Sequence, residues 1–121
     1  MQESITRMKK KIRDKKVNDF VEKYLDKIKK AYEPQQIWLW GSRAYGTPHE
    51  YSDIDLIVVS KSFANERFIQ RMPSFLRKLG LVTDTSVEVL DVLCYTPEEF
   101  ERKKNQISIV REAVNKGIRI I

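Results

Sequence analysis

Cysteine is almost missing from this chain: Cys94 stands alone among 121 residues. One thiol excludes an internal disulfide and supplies no zinc-ligand spacing. Histidine is equally scarce. His49 is the single copy, has no partner at ligand spacing, and reads as an exposed loop residue. No apolar run approaches the roughly 18 residues that a membrane span requires. The first 30 residues are charged and polar and hold no signal-peptide core. These absences predict a reducing, cytoplasmic setting with no membrane attachment. No low-complexity linker and no internal repeat divides the chain, and its length fits one domain.

Hydrophobic residues make up 41% of the sequence and charged residues 33%, enough for one modest core and too apolar for global disorder. The net charge of +6 is unevenly spread. Residues 1–33 hold 11 Lys/Arg and 6 Asp/Glu, a net of +5, and the remainder holds 12 and 11, a net of +1. Lys9-Lys10-Lys11 and Lys15-Lys16 could attract nucleic acid or another polyanion, or could simply form a solvated helix face. No aromatic residues interleave them, so a base-stacking surface is not indicated there.

Ile5, Met8 and Ile12, then Phe20, Val21, Tyr24, Leu25, Ile28 and Tyr32, recur at helical spacing. They predict an amphipathic helix, broken near residues 14–17, packed on a sheet and closed by Pro34. Ile37-Trp38-Leu39-Trp40 reads as a buried strand, its tryptophans in the core or, as the less common use, facing a bound base. Residues 53–59 form a second strand. Phe68, Ile69, Met72, Phe75, Leu76 and Leu79 mark a helix that Pro73 kinks or restarts and Gly80 can cap. Val87 to Leu93 is a third strand. Thr96-Pro97-Glu98-Glu99 opens a helix with a capping hydroxyl, a first-turn proline and acids at the positive dipole end. Ile109, Val110, Ala113 and Val114 mark the last helix, ended by Gly117. Ile118 to Ile121 could add a terminal strand to this sheet or to a neighbour's, so a homo-oligomer is open. Strands alternating with helices give an α/β or α+β class around a small mixed sheet.

The chemistry gathers in the middle. Side chains alternate along a strand, so Asp53 and Asp55 share one side while Ile54, Leu56 and Val58 take the other. Two such aspartates repel, and either one takes up a proton or a cation sits between them. Mg²⁺ or Mn²⁺ suits oxygen ligands of this kind together with phosphate oxygens. Taken alone, the pair could equally be an acidic turn in water. Asp91 shifts the balance, because a carboxylate inside the apolar run of Val87, Val89 and Leu93 is expensive if unpaired. If the two strands are neighbours in register, three carboxylates meet, enough for two ions. Glu88 and Asp84 are poorer candidates by parity and position. Ahead of the carboxylates, Gly41 permits close backbone approach and Ser42 offers a hydroxyl and an N–H. Arg43 either adds charge or points to solvent. The Gly41/Gly46 spacing superficially resembles a Walker A loop, but Thr47-Pro48 follows where Lys-Ser/Thr is required, which rejects a P-loop ATPase.

Gly41-Ser42, then Asp53-x-Asp55, then Asp91 on a later strand resembles the DNA polymerase beta-type nucleotidyltransferase superfamily, and more narrowly its minimal nucleotidyltransferases. Gly41–Val59 carries the specific signature, and the order of elements extends the likeness through Cys94–Phe100. The resemblance implies a single nucleotidyltransferase domain over 1–121, with a basic helix over 1–33 and the catalytic core over 36–121. It implies that Gly41, Ser42 and Arg43 hold the phosphates of a nucleoside triphosphate, ATP above all. Asp53, Asp55 and Asp91 would bind two Mg²⁺ ions and Asp91 would help to activate an acceptor hydroxyl. A nucleoside monophosphate would be transferred and pyrophosphate released. Many relatives carry a second arginine where this chain has Tyr45, which removes a positive charge near the triphosphate.

The acceptor is less defined. Relatives of this size often pair with small helical HEPN-type proteins, in some cases as an antitoxin that adds AMP to a tyrosine of the toxin. This implies a protein adenylyltransferase as the leading expectation. A small hydroxylated molecule as acceptor is a variant. A non-catalytic module that binds a helical protein is the alternative, and nucleic-acid binding through the basic helix is a third.

Overall fold

The computed structural model describes residues 12–47, 53–84 and 90–121. Ile5, Met8, Lys9–Lys11, the loop at Pro48, His49 and Glu50, and the stretch with Val87, Glu88 and Val89 lie outside the described residues. Helix α1, Lys15–Tyr32, starts where the sequence predicts a break: Asp14 caps it, its carboxylate accepting the Val17 N–H at 3.1 Å. Such a cap is worth about 1 kcal/mol. The helix ends as Glu33 turns to φ 45° and donates its N–H to the Lys29 carbonyl, with Pro34 next.

Four strands form one mixed sheet in the order β3-β2-β1-β4, where β1 is Gln36–Trp40, β2 Ile54–Val59, β3 Leu90–Tyr95 and β4 Ile118–Arg119. β2 runs antiparallel to β1 and parallel to β3, and β4 lies antiparallel on the other side of β1. The C-terminal tail therefore extends the sheet of its own chain. The third strand reaches Tyr95, two residues past the predicted end at Leu93, so that Cys94 and Tyr95 are strand residues.

Strand alternation sorts the core into two layers. Ile37, Leu39, Ile54, Leu56, Val58, Val92 and Cys94 face α1 and Phe75 of α3, Phe68–Lys78. Ile57, Val59 and Tyr95, with Trp38, Trp40 and Leu93, face α4, Pro97–Lys104, and α5, Ile109–Lys116. Both tryptophans are thus partly buried under α5-side residues, in line with core use. A short 3₁₀ turn at Lys61–Asn65 has no counterpart in the sequence reading. It drives Phe63 into the core against Tyr32, ring centroids 5.1 Å apart.

Helix α3 runs unbroken through Pro73. The bond that proline cannot donate would go to the carbonyl of Ile69, a residue 75% exposed and hence on the hydrated side of the helix, where its loss is cheapest. Gly80 at φ 73° ends it in a Schellman arrangement, with Gly80 N–H on Arg77 and Leu81 N–H on Leu76. This helix also covers the outer edge of the sheet. Buried Arg71 reaches the Cys94 carbonyl at 3.1 Å and grips both carboxylate oxygens of Glu99 at 2.6 and 3.3 Å. Glu99 in turn completes a capping box with Thr96 at the start of α4. Burial alone would raise the Glu99 pKa, but the hydrogen bonds from Arg71 and Thr96 hold it below the ordinary range. Among the described residues, no helix is long and apolar enough to cross a membrane.

Candidate active site

The antiparallel hairpin of β1 and β2 and the parallel pair β2 and β3 bring three strand ends together. β1 finishes at Trp40 where β2 and β3 begin. Trp40 pairs with Asp55, and Asp55 pairs with Asp91. Neighbouring strands lie about 4.8 Å apart, so the two aspartates stand side by side. Both project to the face that carries Ile57, Val59 and Leu93. The register that the sequence left conditional is the one the sheet adopts.

Asp53 lies one residue ahead of β2 and is exposed. The sheet therefore does not fix its side chain as it fixes that of Asp55. Its charge still reaches Asp55, whose pKa is pushed up to about 6 by burial first, then by Asp91, then by Asp53. Among the described residues, no group of three or more His, Cys, Asp or Glu side chains is converged closely enough to hold a metal ion as it stands. The donor set nonetheless fits a hard dication: carboxylate oxygens only, two of them in lateral register, and one carboxylate whose charge is disfavoured until a cation joins it.

The glycine turn is welded to this pair. Gly41 sits at φ 78°, ψ −162°, a region open essentially to glycine alone. A Cβ there would fall on Oδ2 of Asp55, deep inside van der Waals contact. The carboxylate thus rests against the glycine Cα, and the phosphate turn and the acidic pair form one surface. Helix α2, Ser42–Tyr45, follows directly, with Ala44 and Tyr45 donating their N–H groups back to the Gly41 carbonyl and Gly46 to Ser42. Helical bonding begins at Ala44, which leaves the Ser42 N–H directed out of the start of the turn.

Of the two placements that the sequence allowed for Arg43, the one in solvent is not adopted. Its guanidinium is buried and bonds Oδ2 of Asp14 at 2.7 Å, while Asp14 caps α1 with its other oxygen. Arg43 and Asp14, with Ser42, Gly46 and Ile118, line a cleft of about 480 Å³ beside the turn. A buried guanidinium needs a carboxylate, and the start of α1 supplies it. That pairing spans 29 residues and leaves no local signal. Tyr45, which stands where many relatives carry arginine, is 38% exposed and donates its hydroxyl to Glu112 Oε2 of α5 at 2.9 Å. Burial, Glu112 and Asp55 raise the Tyr45 pKa, and a backbone hydrogen bond from Gly41 opposes the rise. Glu112 escaped the sequence reading because it sits on the polar face of an ordinary amphipathic helix.

The strand-end carboxylates offer oxygen donors of the kind that suit divalent cations, and the glycine turn beside them offers backbone N–H groups of the kind that suit anions. The chain belongs to the nucleotidyltransferase domain family, whose model matches residues 21–116. It is also 38% identical over 56 residues to a Methanocaldococcus jannaschii protein described as "Putative protein adenylyltransferase MJ1305". That match covers 45% of this chain and 38% of the relative, so the chain spans well under half of that protein. Among solved structures, BolA1 from Arabidopsis thaliana superposes with a TM-score of 0.49 at 21% identity, covering 71% of this chain and 96% of that one. A "putative nucleotidyltransferase from Sulfolobus solfataricus" superposes at 0.47 and 20%, covering 83% and 77%. Likenesses at this level carry no functional argument.

Proposed function

We propose that the chain transfers AMP from ATP to a hydroxyl acceptor and releases pyrophosphate, in a reaction that depends on Mg²⁺ or Mn²⁺. The observation that carries this is the lateral pairing of Asp55 with Asp91 against Gly41, within a chain of the nucleotidyltransferase family. Asp53, Asp55 and Asp91 would hold two divalent ions, which when bound neutralise the triphosphate and polarise its α-phosphate. Gly41 and Ser42 receive the outer phosphates and set the α-phosphorus toward the carboxylates. The acceptor oxygen forms a bond to the α-phosphorus as the bond to the α–β bridging oxygen breaks. Pyrophosphate leaves with that electron pair, and Asp91 helps to draw off the hydroxyl proton.

The acceptor in this proposal is a protein hydroxyl, supported by the description of the M. jannaschii relative. A small helical HEPN-type toxin fits the family resemblance, with this chain as its antitoxin. The test is transfer of label from α-labelled ATP to a co-purifying protein, with and without a chelator. Wild type labels its partner in Mg²⁺, and Asp53→Asn and Asp55→Asn do not. A second reading, a non-catalytic binding module, draws on the engagement of Arg43 by Asp14 and on tyrosine at position 45. It prevails if those aspartate variants neutralise the partner as well as wild type does.

A further inference from the structure

Arg13 and Asp14, just ahead of α1, line the cleft of about 480 Å³ together with Ser42, Arg43 and Gly46 of the turn. Both oxygens of Asp14 are committed. One accepts the Val17 N–H at 3.1 Å and the other holds the Arg43 guanidinium at 2.7 Å. That pair is buried, with side chains 10% and 4% exposed, and its charges offset each other. Arg13 is exposed, and among the described residues no salt bridge engages it. One positive charge therefore remains on the cleft wall. Ile118 of β4 also lines the cleft. In the strand order β3-β2-β1-β4 the acidic pair lies on β2 and β3 and the cleft reaches β4, so the turn after β1 separates a negative side from a positive one.

We infer that this cleft seats the outermost phosphate of a nucleoside triphosphate and that Arg13 is its cationic ligand. The inference rests on the nucleotidyl-transfer reading above. A triphosphate on the turn can lie in either of two directions. Laid toward the cleft, it keeps its α-phosphorus at the carboxylates, where divalent ions offset the charge, and brings its outer phosphate to a guanidinium. The reverse would set the terminal phosphate, which carries the most charge, beside three carboxylates and take the reacting phosphorus away from them. A guanidinium matches phosphate oxygens with paired N–H donors, and Ser42 offers a hydroxyl to the same cleft. The tie between Asp14 and Arg43 holds the start of α1 against the turn and so delivers Arg13, one residue earlier, to the site. The cleft is open with Arg43 already engaged, so no buried pair has to break for an anion to enter.

The experiment is calorimetric titration of the full chain with ATP and, separately, with inorganic tripolyphosphate, in excess Mg²⁺ at fixed low ionic strength, alongside thermal melting without ligand. Arg13→Gln is expected to weaken both ligands about tenfold, the loss of one charge-assisted contact, with Tm unchanged because the side chain is exposed. Lys30→Gln removes an equal charge from the far end of α1 and is expected to alter either affinity by less than about twofold. Equal losses in the two variants would identify a general effect of net charge and overturn the inference. So would ATP binding by Arg13→Gln at wild-type strength, or a loss for ATP alone, which would set Arg13 against the nucleoside. If Arg13→Gln binds ATP normally and still labels its partner, nucleotidyl transfer stands and the cleft has no part in it. Binding of tripolyphosphate that depends on Arg13, in a chain that transfers no nucleotide, would support the phosphate site and sink the transferase reading. If wild type binds neither ligand while melting normally, both fall.

Discussion

Removing the charge of Asp55 should make the protein more stable while ending its activity. The free carboxyl of Asp55 is raised from an ordinary 3.8 to about 6, with burial the largest cause and Asp91 and Asp53 adding to it. Between those two values the folded chain holds a proton that the unfolded chain has released. Stability therefore falls as pH rises through this window, and the full penalty is present above about 6. A shift of roughly two units would correspond to about 3 kcal/mol if taken whole. Asp55 is only partly buried, and solvent screening reduces this to about 1 kcal/mol. For a chain of this size, that is a rise in Tm of roughly 3–5 °C for Asp55→Asn at pH 7.5 with chelator. The gap should narrow toward pH 4.5 and close only below 3.8, where the carboxyl is protonated in both the folded and the unfolded state. Added Mg²⁺ should restore wild type and leave the variant unmoved, since an ion that binds only the folded state stabilises by mass action. Thermal melts at the two pH values, with and without Mg²⁺, make the comparison. A variant less stable than wild type at pH 7.5, or a gap equal at both pH values, would show that the Asp55 carboxyl is not raised in the folded chain.

Three other substitutions probe the frame around the pair. Gly41→Ala combines a forbidden φ with a Cβ placed on Asp55; it should cost about 1–3 kcal/mol in urea unfolding and abolish nucleotide labelling. Asp14→Asn keeps a good N-cap but breaks the buried pair with Arg43. A loss of about 3 kcal/mol, with helix content by circular dichroism retained, would assign the effect to the ion pair and not to the cap. Arg71→Met should cost about 3–5 kcal/mol at neutral pH by stranding Glu99 beside the Cys94 carbonyl. Because the Glu99 pKa is depressed, the pair's contribution is present above the ordinary value of 4.5 and is lost as pH falls through the lowered one. The difference between wild type and variant in urea midpoint should accordingly shrink on acidification.

Much of this was legible because it is local or periodic. The alternation in Asp53–Val59 fixed which side Asp55 takes. Thr96-Pro97-Glu98-Glu99 announced a helix start, and Gly80 announced a helix stop. The site needed one non-local fact, that β2 and β3 are adjacent and in register at Asp55 and Asp91. Parity allowed it but could not impose it, since a slip by one residue would have sent Asp91 to the opposite face. The β3 boundary was missed because the strand runs two residues further into Cys94 and Tyr95 than its alternating valines suggested. The 3₁₀ turn at Lys61–Asn65 carries no periodic signal, and only the burial of Phe63 against Tyr32 reveals why the chain folds back there.

Arg43 shows why charge cannot be placed from sequence even inside a recognised motif. A guanidinium on a four-residue helix can swing either way, and its direction was decided by a carboxylate far behind it in the chain. The consequence reaches the chemistry. With Arg43 paired to Asp14, the charges at the strand ends beside the turn are those of Asp53, Asp55 and Asp91. A surface of that sign repels a bare triphosphate and attracts one that arrives with divalent cations. The same cations relieve the repulsion that raises Asp55, whose oxygen lies against the Cα of Gly41. On the proposed function, cation binding and phosphate binding would be coupled through a single carboxylate. The turn and the acidic pair cannot be altered separately, because any group that widens one displaces the other.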